Sequence, residues 1–147
     1  MSMSNAAEAA LQAHIFQNAA WAGIGDAGGL LASAAPGSLY ISLHSADPGE
    51  AGNQSTSEIA YTGYARVAVS RNGSTGFTLT VSTVSNTALT QFPQCTGGSA
   101  SATHFSIGSA SSGAGQIIVS GALSATLSIS NGIQPQFNAG DLTATAD

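Results

Sequence analysis

The chain has 147 residues, a mass of 14.4 kDa and a formal charge of −5, with seven acidic residues against two basic ones, Arg66 and Arg71, and no lysine. Nucleic-acid backbones and anionic lipid surfaces are held by clusters of cations, so neither is an expected partner. No cation precedes Arg66 to supply the basic start of a secretory leader, and polar residues interrupt every apolar run well short of the ~20 residues of a membrane helix.

One domain of this length buries roughly two thirds of the surface its unfolded chain would expose, so a self-standing core is expected. Cys95 is the only cysteine, which excludes an intramolecular disulfide. Charged residues make up 6% of the chain, against about 25% in ordinary soluble domains, and Ser, Thr, Gly and Ala replace them. Sheets commonly guard their edges with charge. A β protein this short of charge is expected to have its edges covered by neighbouring chains.

The first element in chain order is a helix over Asn5 to Ala22, "NAAEAALQAHIFQNAAWA", with Asn5 and Glu8 at capping-box spacing and Gly23 as its stop. Leu11 and Ile15 share a face, flanked by Phe16 and Trp21. That face is expected to dock on a sheet or a partner chain, making residues 1–23 a helical docking segment and 24–147 the β domain. His14 reads as a packed or solvated helical histidine. A glycine-rich loop from Gly23 to Ser38 follows.

At Leu39 the period changes to two. Leu39, Ile41 and Leu43 point one way and Tyr40, Ser42 and His44 the other, the pattern of a half-buried strand. "DPGE" then places Pro48 and Gly49 at the central positions of a type II turn. Alternating runs recur at Tyr64 to Ser70, Gly76 to Ser82, Ala102 to Ile107, Gln116 to Ser120 and Ala125 to Ser130, with short strands near Ala88 to Phe92 and Asp141 to Thr145. The fold class is therefore mainly β: a single antiparallel β-sandwich or barrel-like domain with an N-terminal α-helix. The loop Gly108 to Gly115 reads as the most mobile segment.

Few residues suggest chemistry. His44, Asp47 and Glu50 carry ligand atoms, but zinc sites use more His and Cys and calcium loops more Asp and Asn, so with Pro48 and Gly49 they read as a turn on a surface loop. Cys95 lies in no thiol-enzyme signature and reads as a buried thiol. Neither a nucleophile elbow nor a phosphate loop is present, and Glu50 with Glu58 is thin support for a glycosidase pair. No catalytic residue, metal ligand or cofactor is expected. Arg66 and Arg71 read either as solvated side chains or as docking contacts, a scarce cation beside Glu58 or another chain's acid setting the register of assembly.

The stretches "GSLYISLHSADPGEAGNQSTSEIAYTGYARVAVSR" and "FPQCTGGSASATHFSIGSASSGAGQIIVSGALSATLSISNGIQPQFNAGDL" resemble a family of small tailed-bacteriophage and prophage virion proteins, labelled tail-fibre-like or structural. The most specific pieces are "LYISLHSADPGEAG" and "YTGYARVAV". The resemblance implies a non-enzymatic part of a virus particle, assembled in the host bacterial cytoplasm. The first expectation is a capsid decoration (cement) protein that bridges major capsid subunits as a homo-oligomer, a trimer by preference. A tail-tip or tail-fibre component is the alternative; it would partner tail proteins and touch a host receptor through the loops at Asn53 to Ser57 and Gly108 to Gly115. A small cell-wall enzyme is the third. Leu11, Ile15, Phe16, Trp21, Arg66 and Arg71 are the expected inter-subunit contacts.

Overall fold

The computed structural model describes residues 3–145. One helix, α1 (Asn5–Gln17), is followed by β1 (Ser38–His44), β2 (Val67–Ser70), β3 (Phe77–Thr80), β4 (Thr83–Asn86), β5 (Thr90–Gln91), β6 (Ser99–Gly108), β7 (Ile117–Ser130), β8 (Gln136–Phe137) and β9 (Thr143–Thr145). The architecture is mainly β with an N-terminal helix, as expected. Its strands form three antiparallel sheets, ordered β2-β1-β6-β7, β3-β4-β9 and β5-β8, and none closes into a barrel.

The helix is shorter than its alanine content suggests. Ser4 caps it, its hydroxyl accepting from the Ala7 amide at 3.3 Å, in place of the capping box expected at Asn5. It ends at Asn18, which adopts the left-handed conformation (φ 54°) ahead of Gly23, and Trp21 forms a bridge with Leu30 instead. Asn is the residue after glycine that tolerates this conformation best, so the stop was written four residues before Ala22.

Phe16 corrects the expectation of an inter-subunit contact. It is 1% exposed and meets Phe77 of β3 edge to face, ring centroids 5.3 Å apart. Ile15 packs partly against the same core, and Leu11 and Trp21 are half-buried. The docking face of the helix is thus filled by its own chain around Phe16. Arg71 acts at the same place: its Nε donates to the Ile15 carbonyl (2.5 Å), Nη2 to His14 (2.6 Å) and Nη1 to Pro36 (3.3 Å). A cation on the last carbonyls of a helix satisfies acceptors that have no partner within it and complements its dipole. Arg71 is therefore a cap on the helix within its own chain.

One core joins the sheets. Leu39, Ile41 and Leu43 of β1 share it with Phe105 and Ile107 of β6, Phe77 and Val84 of the second sheet, and Phe92. Buried Asn86 ties β4 to the chain near the end of β8, donating to the carbonyls of Ala88 and Asn138 (2.8 Å each) and accepting from the Leu142 amide (3.0 Å). The runs at Gln116 to Ser120 and Ala125 to Ser130 are one strand, β7, whose register with β6 shifts between Ala102 and His104. Three extra residues on β7 there make a wide bulge that bends it without ending it.

Candidate functional site

Strand β1 is central, with β2 on one side and β6 on the other. Its alternation is as expected, but its polar face is not open to water. Ser42 and His44 are each 0% exposed, because the chain after the turn folds back over them. Beyond Ile41, where β2 stops, residues 57–59 take its place: the Ser45 amide donates to the Ser57 carbonyl (2.8 Å) and the Ile59 amide to Leu43 (3.0 Å). His44 and Pro48 are consequently buried, which corrects their placement on a surface loop; Asp47, Gly49 and Glu50 are exposed. Gly49 carries φ 68° and its amide donates to Asp47 Oδ1 at 2.9 Å, an Asx turn, while the backbone turn bond lies two residues later than expected, from the Gly52 amide to the Gly49 carbonyl (3.1 Å).

Under that cover lies a closed polar chain. The Thr56 carbonyl can only accept, so His44 Nδ1, 2.8 Å away, carries the proton and donates to it. His44 Nε2 then accepts from Ser106 Oγ at 2.8 Å, Ser106 lies 2.8 Å from Ser42 Oγ, and the Gln54 amide reaches Ser42 Oγ (3.5 Å) and the Tyr40 carbonyl (3.1 Å). Gln54 Oε1 accepts from the Ala110 amide at 2.9 Å. A Cβ on Gly108 or Gly115 would overlap the Gln54 side chain, so these two glycines create its slot. Burial lowers the His44 pKa, despite the hydrogen bond to Thr56 and the nearby Glu58 that favour its charged form.

A serine against a histidine whose far nitrogen is held by an acceptor has the topology of a hydrolase dyad. Here Ser42, His44, Gln54 and Ser106 are all 0% exposed, so no substrate carbonyl reaches the hydroxyl. What the network does is fasten the loop at Asn53 to Ser57 onto the sheet.

Arg66 fastens the second loop. Its Nε and Nη2 donate to the two oxygens of Glu58, 2.7 Å each, a bidentate pair. Nη1 donates to the Ala110 carbonyl (2.9 Å) and Nη2 to Gly113 (2.7 Å). The Tyr64 hydroxyl donates to Glu58 Oε1 at 2.9 Å and accepts from the Leu43 amide at 3.1 Å. Burial, followed by the nearby carboxylate, pushes the Tyr64 phenol far above its usual range, and the bond to Glu58 raises Arg66 further. Arg66 is therefore spent inside its own chain, the Glu58 half of the sequence expectation, and is corrected as an inter-subunit contact. Its bonds, with Gln54 N to Gly115 O at 2.8 Å, also pin the Gly108 to Gly115 loop expected to be the most mobile.

The two loops singled out as receptor-contacting thus lie side by side, joined by Gln54 and Arg66, with a hollow of about 240 Å³ lined by Glu58, Tyr64, Arg66, Ser111 and Ser112. His44, Asp47 and Glu50 do not converge: His44 faces the buried chain, while Asp47 and Glu50 face outward, and no metal-binding cluster occurs among the described residues. Glu58 is committed to Arg66, away from any partnership with Glu50. Cys95 is a buried free thiol whose Sγ donates to the Gly97 carbonyl at 3.3 Å, while His104 bonds Thr103. Sequence reasoning missed Gln54 and Ser106; the only signal for the first was the pair of glycines that encloses it. Among the described residues no helix is long and apolar enough to cross a membrane.

No curated protein matches the chain. A family model described as podophage GP4 fiber I protein gp80 matches residues 2–145. With nearly the whole length covered, the chain belongs to this family of phage fibre-like structural proteins.

Proposed function

We propose that the protein is a non-enzymatic building unit of a phage tail fibre. The observation that carries this reading is the match to a fibre protein family over residues 2–145. The paired loops support it: the serines and glycines of residues 109–114 are held on a rigid base by Arg66 and Gln54, which suits a contact surface for a host receptor. The buried state of the Ser106 and His44 pair supports a role without catalysis. The unit assembles with tail proteins of the same phage as a closed homo-oligomer, the trimer being the first symmetry to test. Capsid decoration, with the major capsid protein as partner, is the competing placement.

The test is the number of copies per purified particle, by quantitative mass spectrometry against the major capsid protein. A small multiple of three or six, lost when tails are removed, is the expected result. A number comparable to the major capsid protein places the chain on the shell, and absence from particles overturns the virion reading altogether.

A further inference from the structure

Strand β7 is the longest in the molecule, 14 residues without a charged side chain, and it stands at the edge of the four-stranded sheet. It pairs with β6 on one side; among the described residues no strand pairs with its other side. Such an edge is a template for one more strand unless charge, proline or a cover blocks it. The large bulge lies further along β7; over Ile117–Val119 the strand pairs with Ile107 and Gly108 of the central strand β6, with Ile118 as the extra residue of a second, smaller bulge.

An open groove of about 480 Å³ runs beside this stretch, lined by Ile117–Ser120, by Asp47, Gly49 and Glu50, and at one end by Thr145 of β9, whose Thr143 carbonyl lies close to Gly121 of β7. Both acids are exposed. Glu50 has no hydrogen bond or ion pair among the described residues, and Asp47 uses one oxygen for its own turn. The groove therefore offers unpaired backbone groups, half-buried apolar side chains and two carboxylates along one flank.

A second copy of this chain is a poor occupant. It carries −5, has no lysine, and both of its arginines are engaged, Arg66 on Glu58 and Arg71 on the end of α1. We propose that the edge of β7 at Ile117–Ser120, faced by Asp47 and Glu50, takes an extended segment bearing lysine or arginine from a different protein of the particle. The segment adds a strand to the sheet, its main chain bonding to β7. Side chains alternate along such a segment, so cations at every second position share the flank that meets the two carboxylates. This rests on the virion reading above and names the kind of partner that reading leaves open.

The experiment compares particles carrying the wild-type chain with particles carrying D47N/E50Q and D47K/E50K. Asn retains the oxygen that Gly49 bonds, so the first variant keeps the turn, and circular dichroism and oligomeric state of the purified proteins check both. Copies per particle are counted after washes at low and high salt. The expected result is retention reduced severalfold for D47N/E50Q at low salt, a difference that narrows at high salt because the exposed charge pairs kept only by the wild-type chain are screened, and loss of the chain from particles for D47K/E50K. Carbodiimide coupling on wild-type particles identifies the occupant. The chain has no lysine, so a lysine joined to Asp47 or Glu50 must come from another protein. Retention of both variants at the wild-type level overturns the proposal, as does a changed oligomeric state of the purified variants, which would make the occupant a second copy. Absence of the wild-type chain from particles is a different failure, that of the virion reading itself.

Discussion

The two cations of the chain hold two regions by different means. Arg66 meets a carboxylate, two loop carbonyls and, through Glu58, a tyrosine that bonds back to β1. Arg71 meets carbonyls alone, at the end of α1 and at Pro36. Beneath Arg66 the polar groups Ser42, His44, Gln54 and Ser106 all find partners. In α1 the amide of Gln12, in a residue 4% exposed, has no partner for either atom among the described residues. An unsatisfied buried amide costs about 1–3 kcal/mol. The loop region is thus specified many times over, whereas the helix is held by the packing of Phe16 and Ile15, one cation and the bond from Gln17 Nε2 to the Phe77 carbonyl (3.0 Å). The difference shows where scarce charge goes in a low-charge protein: to the places where backbone leaves regular structure and needs an acceptor or donor supplied.

The largest expected effect comes from the weaker region. Phe16→Ala removes a ring that is 1% exposed and opens a cavity against Phe77, at a cost of about 3–5 kcal/mol. Urea unfolding should show it as a lower midpoint with the same slope. A loss below about 1 kcal/mol would mean that α1 is an appendage to the β domain, and the comparison would lose one of its terms.

Next comes Arg66→Ala, which strands Glu58 beside Tyr64 and frees the carbonyls of Ala110 and Gly113. Removing one member of an enclosed pair costs about 3 kcal/mol. The cost should be accompanied by protease cleavage within residues 108–115, a readout the Phe16 variant leaves unchanged. Equal cleavage in both variants would show that the two regions unfold together.

His44 gives a smaller, pH-dependent effect. Its folded pKa lies below the unfolded value of 6.5, so the unfolded chain takes up the proton first as pH falls. This contribution is whole above about pH 6.5 and declines below it, by at most about 1.4 kcal/mol per pH unit. Unfolding free energies measured from pH 8 down to pH 5 should slope accordingly, and His44→Asn should remove that part of the slope. An unchanged slope in the variant would mean that burial beneath residues 53–58 leaves the histidine's proton affinity unaltered.

Strand β1 and its turn were legible from residues 39–49 because alternation and a Pro-Gly pair are local signals. The closed polar chain was not. Its cover comes from Gln54 and Thr56, and its far wall from Ser106, 62 residues beyond His44. Nothing within a strand's length tells a serine facing water from one facing another serine. The helix end was legible in principle, since Asn18 is a recognised left-handed residue, but the alanine run on both sides outweighed it. Strands β4 and β8 were missed for a plainer reason: "TVSN" and "QF" are too short and polar to show a period, and they exist because β3, β9 and β5 pair with them. The pairing of Arg66 with Glu58 was within reach, both residues being scarce and eight apart, yet the sequence could not say whether the acid belonged to this chain or another.

The smallest expected effect concerns the hairpin that carries the helix contact. Val81 sits in the two-residue turn between β3 and β4 with φ 53° and is 62% exposed. A β-branched residue pays for the left-handed conformation through its Cβ, about 1–2 kcal/mol, which glycine avoids while losing some of the gain to its freer unfolded chain. Val81→Gly should therefore stabilise the protein by about 0.5–1 kcal/mol. The gain should be the same when Phe16 is already Ala, because the turn lies four residues beyond Phe77 and touches neither arginine. A gain that vanishes in the Phe16→Ala background would show the strain to be coupled to helix docking, and the helix region would then extend along the whole hairpin to its tip.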